Sequence, residues 1–459
     1  MTLLSRSMLE QFELALGSSA SEIDLSAGSS YPSVFAVSDL AQASIACAAG
    51  ALGALISEHS GTSCRISVDR DLSSAWFLAS IRPQGWTLPS PWDAIAGDYA
   101  TADGWIKVHT NAPHHRARAI EVLGVREDRG AVAAAVLEWR GEELETAIVD
   151  AGGAAAAMKS LGAWKVHPQA RAVAQDPLLF FDDADASLLP IDQFGDVQRP
   201  LAGIKIVDLT RVLAGPVATR LLAGWGAQVL RIDPPDWDEP GIVPEVTLGK
   251  RCARLDLRSK IGLEQCVLLL SEADILVSGY RSDALDRLGL GAEQRQAIRP
   301  GLVDVSLDAY GWSGPWARRR GFDSLVQMSA GIAHTGMVAA GSPVPVPLPV
   351  QALDHATGYL LAAAAISGLT HRLKTGRGSR WRTSLASMAR VLVGAGVDDQ
   401  GLANDGSGIT NVSPLRLVEK TAWGDALRLP PPVDVTGAPL RWSLAARPLG
   451  SDPAAWRYP

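Results

Sequence analysis

From Gly203 onward, short apolar runs alternate with helical ones. "GIKIVDLT" (203–210) leads into the helical "GPVATRLLAGWG", then "AQVLRID", and after a Pro/Asp loop "EADILVSGY" and "GLVDVSLDAYG" repeat the theme. A strand that feeds a helix and then another strand without polar alternation has no face left for water. This pattern predicts an α/β fold, a doubly wound parallel sheet with both faces covered. Ligands of such a sheet belong at the carboxyl ends of its strands.

At 459 residues the chain exceeds one compact core, so two or three domains are expected. With 47% hydrophobic and 20% charged residues it can pack a core and is not a disordered chain. A net charge of −7 argues against a general nucleic-acid binder, so a polyanionic ligand needs a local basic cluster. "LGKRCARLDLRSK" (248–260) and "WARRRGFD" (316–323) are such clusters, and each follows a strand end. Most charge runs are simply solvated faces. Cys47, Cys64, Cys252 and Cys266 lie far apart and lack metal-ligand spacing, which predicts buried, reduced thiols and a cytoplasmic protein. "MTLLSRSMLEQFELALG" carries Glu10 and Glu13 within its apolar pattern, unlike a signal peptide. The Ala-rich apolar segments are interrupted by polar residues short of a bilayer span, so no membrane partner is expected.

Before the alternating region, residues 39–56 read as a helix of small residues suited to close packing. "GDYATADGWIKVHTNAPHHRARAIEVLGV" alternates as a strand pair does, turns at Thr101–Gly104 and continues as a helix, a smaller α+β unit. "LLFFDDADASLLPIDQFGDVQRP" is acidic, contains Pro and reads as a linker. The resulting division is 1–91, a helical segment; 92–195, a small α+β domain; 196–395, the parallel-sheet domain; and 396–459, an extension packed on the large domain. Residues 1–91 also echo the second half of the large domain. Setting Asp39 against Asp354 without gaps aligns Ala41 with Ala356, Gly53 with Gly368, Gly61 with Gly376 and Arg65 with Arg380.

Three motifs invite chemistry. "IKIVDLTRVLAGPVATRLLAGWGAQVLRID" suggests a dinucleotide site ending at Asp233, but the glycine-rich turn after its first strand is absent. His109, His114 and His115 in "HTNAPHHR" have no carboxylate or cysteine at ligand spacing, so a surface or interface loop is expected and no metal. Asp354 stands before a long uncharged run. It serves there as a helix N-cap, or as a nucleophile or base at the edge of a desolvated site, and local sequence leaves both readings open.

The run from Gly203 to about Arg382 resembles the family III CoA-transferases, the group of formyl-CoA and carnitine CoA-transferases and alpha-methylacyl-CoA racemases. The resemblance is carried in order by "GIKIVDLTRVLAGPVATRLLAGWGAQVLRID", "GKRCARLDLRSKIG", "EADILVSGYRSDALDRLGLG", "IRPGLVDVSLDAYGWSGPWARRRGFDSLVQMSAG", "LDHATGYLLAAAAISGL" and "TGRGSRWRTSL". It implies a Rossmann-like CoA-binding domain, a second smaller domain and Asp354 as the nucleophile of an acyl-CoA:carboxylate CoA-transferase working through an aspartyl-CoA thioester. It implies CoA contacts at Val212, Leu255, Arg258, Tyr280, Arg287 and Leu288. CoA or acyl-CoA is then a substrate rather than a resident cofactor, a carboxylic acid is the acceptor, and the protein is an interlocked homodimer. The chain departs from the family at Leu213, Pro234 and Gly279, and carries Phe322 where the racemase branch has a histidine. Small-domain-like sequence also precedes the large domain, so the chain is permuted or partly duplicated relative to the family. Alternatives on the same scaffold are a CoA-thioester isomerase, racemase or hydrolase, or a CoA-binding pseudoenzyme. By this resemblance Asp39 is a structural cap.

Overall fold

In the computed structural model, residues 2–18, 22–186 and 195–456 are described. The alternating region forms a mixed α/β unit around a seven-stranded sheet. Its strands lie in the order Lys250–Arg254, Gln228–Asp233, Lys205–Leu209, Ile275–Ser278, Val303–Asp308, Arg377–Ser384 and Phe180–Ala186. The first six are parallel and the last is antiparallel. Chain order reverses beside Lys205–Leu209, which opens a crevice at the neighbouring carboxyl ends. The central strands are largely buried and apolar, as in Ile206, Val207, Val277, Val303 and Val305, with buried charges such as Asp208, Arg231 and Lys250 paired among them.

The segment read as a linker contains the edge strand Phe180–Ala186, with Phe180 opposite Arg382 and Phe181 opposite Trp381. Acidity had argued against a strand. Two acids of this edge strand face cations instead: Asp182 meets Arg382 at 3.0 Å and Asp183 meets Arg377 at 2.9 Å. The rest of that stretch, 187–194, lies outside the described residues.

The predicted strand pair forms as Gly97–Thr101 and Gly104–Val108, joined by a third strand, Ala155–Ala157. Helices Pro113–Leu123, Arg129–Leu137 and Gly141–Asp150 accompany it, with a core of its own including Ile106, Val132, Leu144 and Ile148. The last part of the chain completes sheets begun in the first. Val433–Val435 pairs with Ile66–Val68, and Gly424–Arg428 pairs with Ile81–Pro83.

Two helices of equal length dominate the core: Val37–Ser60 and Ala352–Thr375, each of 24 residues and each ended by a left-handed glycine, Gly61 or Gly376. They pack on each other, and the second also packs on Ala214–Gly224. Gly358 permits that second contact, because a Cβ there would lie 2.4 Å from the Ala214 carbonyl oxygen. By length and composition Val37–Ser60 could cross a membrane, contrary to the shorter apolar runs expected, but 83% of its most apolar window is buried within the fold. All four cysteines are free. Cys47, Cys252 and Cys266 are buried, whereas Cys64 is only half-buried.

Candidate functional site

The two echoing acids occupy the same place on their helices and have opposite surroundings. Neither is an N-cap, since Ala36 and Gln351 hold those positions. Asp39 is gripped by Arg70, with Nη1 to Oδ1 at 3.1 Å and Nη2 to Oδ2 at 2.9 Å, and Ser5 Oγ donates to it at 2.8 Å. Burial pushes its pKa up, but the bonds and charge of Arg70, with Thr2 and Ser5, outweigh this and hold it below the usual range. Asp39 is thus an ion-pair anchor rather than a cap. Asp39→Asn leaves the buried Arg70 charge without its counter-ion, and is expected to cost about 1 to 3 kcal/mol of stability in denaturant melts.

Asp354 has no cation partner among the described residues. Burial raises its pKa well above the carboxylate range and the neighbouring Asp323 raises it further, while the Ala214 N–H at the start of helix Ala214–Gly224 acts in the opposite direction. Asp323 supports the turn that presents Asp354. Its Oδ2 accepts the Asp354 N–H at 2.8 Å and its Oδ1 accepts Gln327 Nε2 at 2.5 Å. Gln327 Oε1 in turn accepts the Leu348 N–H at 2.8 Å, which ties down the chain entering the helix. Burial raises Asp323 too, against these bonds. Two buried carboxylates side by side cannot both ionise cheaply. Asp323 accepts more hydrogen bonds from protein donors, so the proton favours Asp354.

Three cavities meet near this acid. The first, about 300 Å³, is lined by Asp354, Val212, Tyr280, Arg211, Arg281 and Arg320, among others. The second, about 520 Å³, shares Arg211, Trp237 and Tyr280 with it and adds Leu255, Arg258 and Leu288. The third, about 440 Å³, reaches Asp354 from the other side. Together the first two draw residues from the carboxyl ends of all six parallel strands: Thr210, Pro234, Leu255, Gly279, Asp308 and Leu385 follow or end them in turn.

Of the six expected CoA contacts, Val212, Leu255, Arg258, Tyr280 and Leu288 line these cavities. Arg287 is absent from the described lining; it is 64% exposed and paired with Asp283 at 2.5 Å. Arg258 is also exposed and paired, with Asp256 at 2.8 Å. Sequence reading passed over Arg211, whose guanidinium lies over Trp237 at 4.6 Å and Tyr280 at 5.1 Å. Arg211, Arg281 and Arg320 have no carboxylate within ion-pair distance among the described residues. Unpaired guanidiniums converging on one cavity suit a ligand carrying phosphates. Val212 marks the same place in the backbone, since its φ of 60° is costly for a β-branched residue, and its N–H is held by Glu239 at 2.9 Å.

Of the three histidines read as a surface or interface loop, His114 is exposed but the other two are not. His109 and His115 are buried, and burial lowers both to about 3, keeping the rings neutral. His109 stacks on Phe322 with centroids 3.8 Å apart, and the two rings help wall the third cavity. The signal missed was the apolar strand Gly104–Val108, which carries His109 inward at its end.

Residues 201–411 match the family described as CoA-transferase family III. The chain is 32% identical over 193 residues to the probable fatty acyl-CoA transferase Rv3272 of Mycobacterium tuberculosis, covering 39% of this chain and 48% of that protein. It is 32% identical over 197 residues to the mouse (Mus musculus) succinyl-CoA:glutarate CoA-transferase, covering 40% of this chain and 44% of that one. It is 31% identical to the (R)-2-hydroxy-4-methylpentanoate CoA-transferase of Clostridioides difficile over 40% of this chain and 50% of that one. The crystal structure of Rv3272 superposes with a TM-score of 0.40 at 29% identity, over 43% of this chain and 57% of that one. The chain spans about half the length of the curated relatives it matches.

Proposed function

We propose that this chain, whose residues 201–411 match CoA-transferase family III, is an acyl-CoA:carboxylate CoA-transferase with Asp354 as nucleophile. The observation that carries the reading is a buried, unpaired carboxylate where a cavity lined by unpaired arginines meets a largely apolar one. The Asp354 carboxylate attacks the thioester carbonyl of the donor and expels CoA thiolate, leaving a mixed anhydride. The thiolate then attacks the aspartyl carbonyl, releasing the donor acid and forming an aspartyl-CoA thioester. The acceptor carboxylate repeats the two steps in reverse, so one thioester and one carboxylate enter and one of each leaves. Exclusion of water protects the anhydride, and the Ala214 N–H is placed to stabilise charge on the aspartyl oxygen.

In this reading CoA lies across the strand ends of a doubly wound sheet, its adenine among Leu255, Tyr280 and Leu288 and its phosphates near Arg211, Arg281 and Arg320. A racemase is less favoured, because Phe322 replaces the base of that branch and burial lowers the adjacent His109 to about 3, which makes it a poor proton acceptor. Incubation with acyl-CoA followed by hydroxylamine and mass spectrometry should mark the Asp354 peptide; an unmarked Asp354 across a broad donor panel would sink the transferase.

The CoA placement gives a second expectation. Arg211→Ala should weaken CoA by about 1.5 to 3 kcal/mol, as for a charge-assisted bond, whereas Arg287→Ala should leave calorimetric affinity unchanged. Equal losses from both would overturn the placement. The reading extends to a cytoplasmic homodimer, which sedimentation returning a monomer would contradict.

A further inference from the structure

Charge is divided sharply across Asp354. On the side of the first cavity stand Arg211, Arg281, Arg319 and Arg320, with Asp308 as the one acid besides Asp354. The third cavity has no Lys or Arg among its described lining residues; its charged groups are all acids, and its apolar wall includes Phe77, Trp92, Val212 and Ile242. Glu245 and Glu239 there already hold buried arginines, Glu245 with Arg220 and Arg428 and Glu239 with Arg231. Asp323 and Asp354 have no such cation. The buried polar atoms left without a hydrogen-bond partner on this wall are Ser324 Oγ, Nδ1 of His109 and His355, and Oδ2 of Asp93, none of them on a cation.

The first and second cavities share Arg211, Trp237, Tyr280, His114 and Ala284, while the third joins them chiefly at Val212, Phe322 and Asp354. A thioester whose CoA part occupies the basic side therefore has one place for its acyl group. A second carboxylate on that group would leave water, gain no cation and face carboxylates.

Resting on the transferase reading, we propose that the third cavity receives the acyl group of both donor and acceptor and selects monocarboxylic acids: apolar acyl bodies, bearing at most neutral hydrogen-bonding groups, and no second carboxylate.

The test separates this from the mechanism on which it rests. Binding is measured by calorimetry with the Asp354→Asn protein, which cannot turn over, using CoA, 4-methylpentanoyl-CoA and succinyl-CoA. The two acyl groups have nearly the same shape and differ in a terminal isopropyl or carboxylate. The apolar thioester should bind at least tenfold tighter than CoA, and succinyl-CoA no tighter than CoA. Succinyl-CoA binding as tightly as the apolar thioester, or neither exceeding CoA, would overturn the proposal. Wild-type protein is assayed in parallel for transfer from both donors, with at least a hundredfold preference in kcat/KM for the apolar one expected; a preference for succinyl-CoA would overturn the proposal. An apolar preference in binding without any transfer would support the cavity assignment and refute the transferase.

Discussion

Asp354→Asn is expected to reduce CoA transfer by about 10³-fold or more, the scale seen when a covalent nucleophile is removed, without lowering the melting temperature. The amide keeps the shape of the carboxyl but cannot form the anhydride. The stability side follows from linkage. Burial and Asp323 raise the Asp354 pKa in the folded protein, so the group favours folding below its unfolded pKa and that contribution is lost as pH rises through the folded value. Asparagine cannot ionise, so the variant should become increasingly more stable than wild type as pH rises. The same shift places the acid limb of kcat/KM above the ordinary carboxylate range. The other groups set around Asp354 do not restore a low pKa: His355 is neutral, lowered to about 3 by burial, and Arg220 behind it is engaged by Glu245. A variant that unfolds, or a wild-type acid limb near pH 4, would contradict this account.

The largest loss of stability should come from Glu245→Ala. Glu245 is buried between Arg220 and Arg428; it also accepts the N–H groups of Ser80 and Ile81, both at 3.0 Å, and the Ser80 hydroxyl at 2.7 Å. It thereby joins the early chain, the helix Ala214–Gly224 and the late strand Gly424–Arg428. Burial raises its pKa, but Arg220 and Arg428 overcome this and bring it to about 2. Truncation leaves the buried Arg220 guanidinium without a counter-ion and Arg428 with Glu419 alone, for which about 3 to 5 kcal/mol is expected. Because the pKa is depressed, the stabilisation in wild type is present above the unfolded carboxylate pKa and is lost as pH falls toward 2. Denaturant melts at neutral pH giving a loss under 1 kcal/mol would show that the cluster contributes little net energy.

The parallel sheet was legible because its strands are buried on both faces and read as continuous apolar runs. Asp354 stood out because it is alone before an uncharged helix, but its position left cap and nucleophile both open, and the nucleophile role came from the family resemblance. Its neighbour Asp323 was not, since "GFDSL" gives no hint that its carboxylate returns to the backbone of residue 354, and that contact exists only after the chain has folded. Arg211 was hidden for a similar reason: a single arginine after a strand acquires meaning from Trp237 and Tyr280, which arrive from two other strand ends. The edge strand Phe180–Ala186 was misread because acids depress strand propensity, and here tertiary ion pairs override it.

The late strand Val433–Val435 pairs with Ile66–Val68, and Phe180–Ala186 pairs with Arg377–Ser384. Each pairing joins a segment made early in synthesis to one made much later. During translation both early partners wait with unpaired edges while the central strands emerge, which makes nascent chains open to chaperones and to mispairing with one another. Refolding of the full chain should accordingly be slow and concentration-sensitive, and removal of residues from Val433 onward should impair the folding of the beginning of the chain as much as its end.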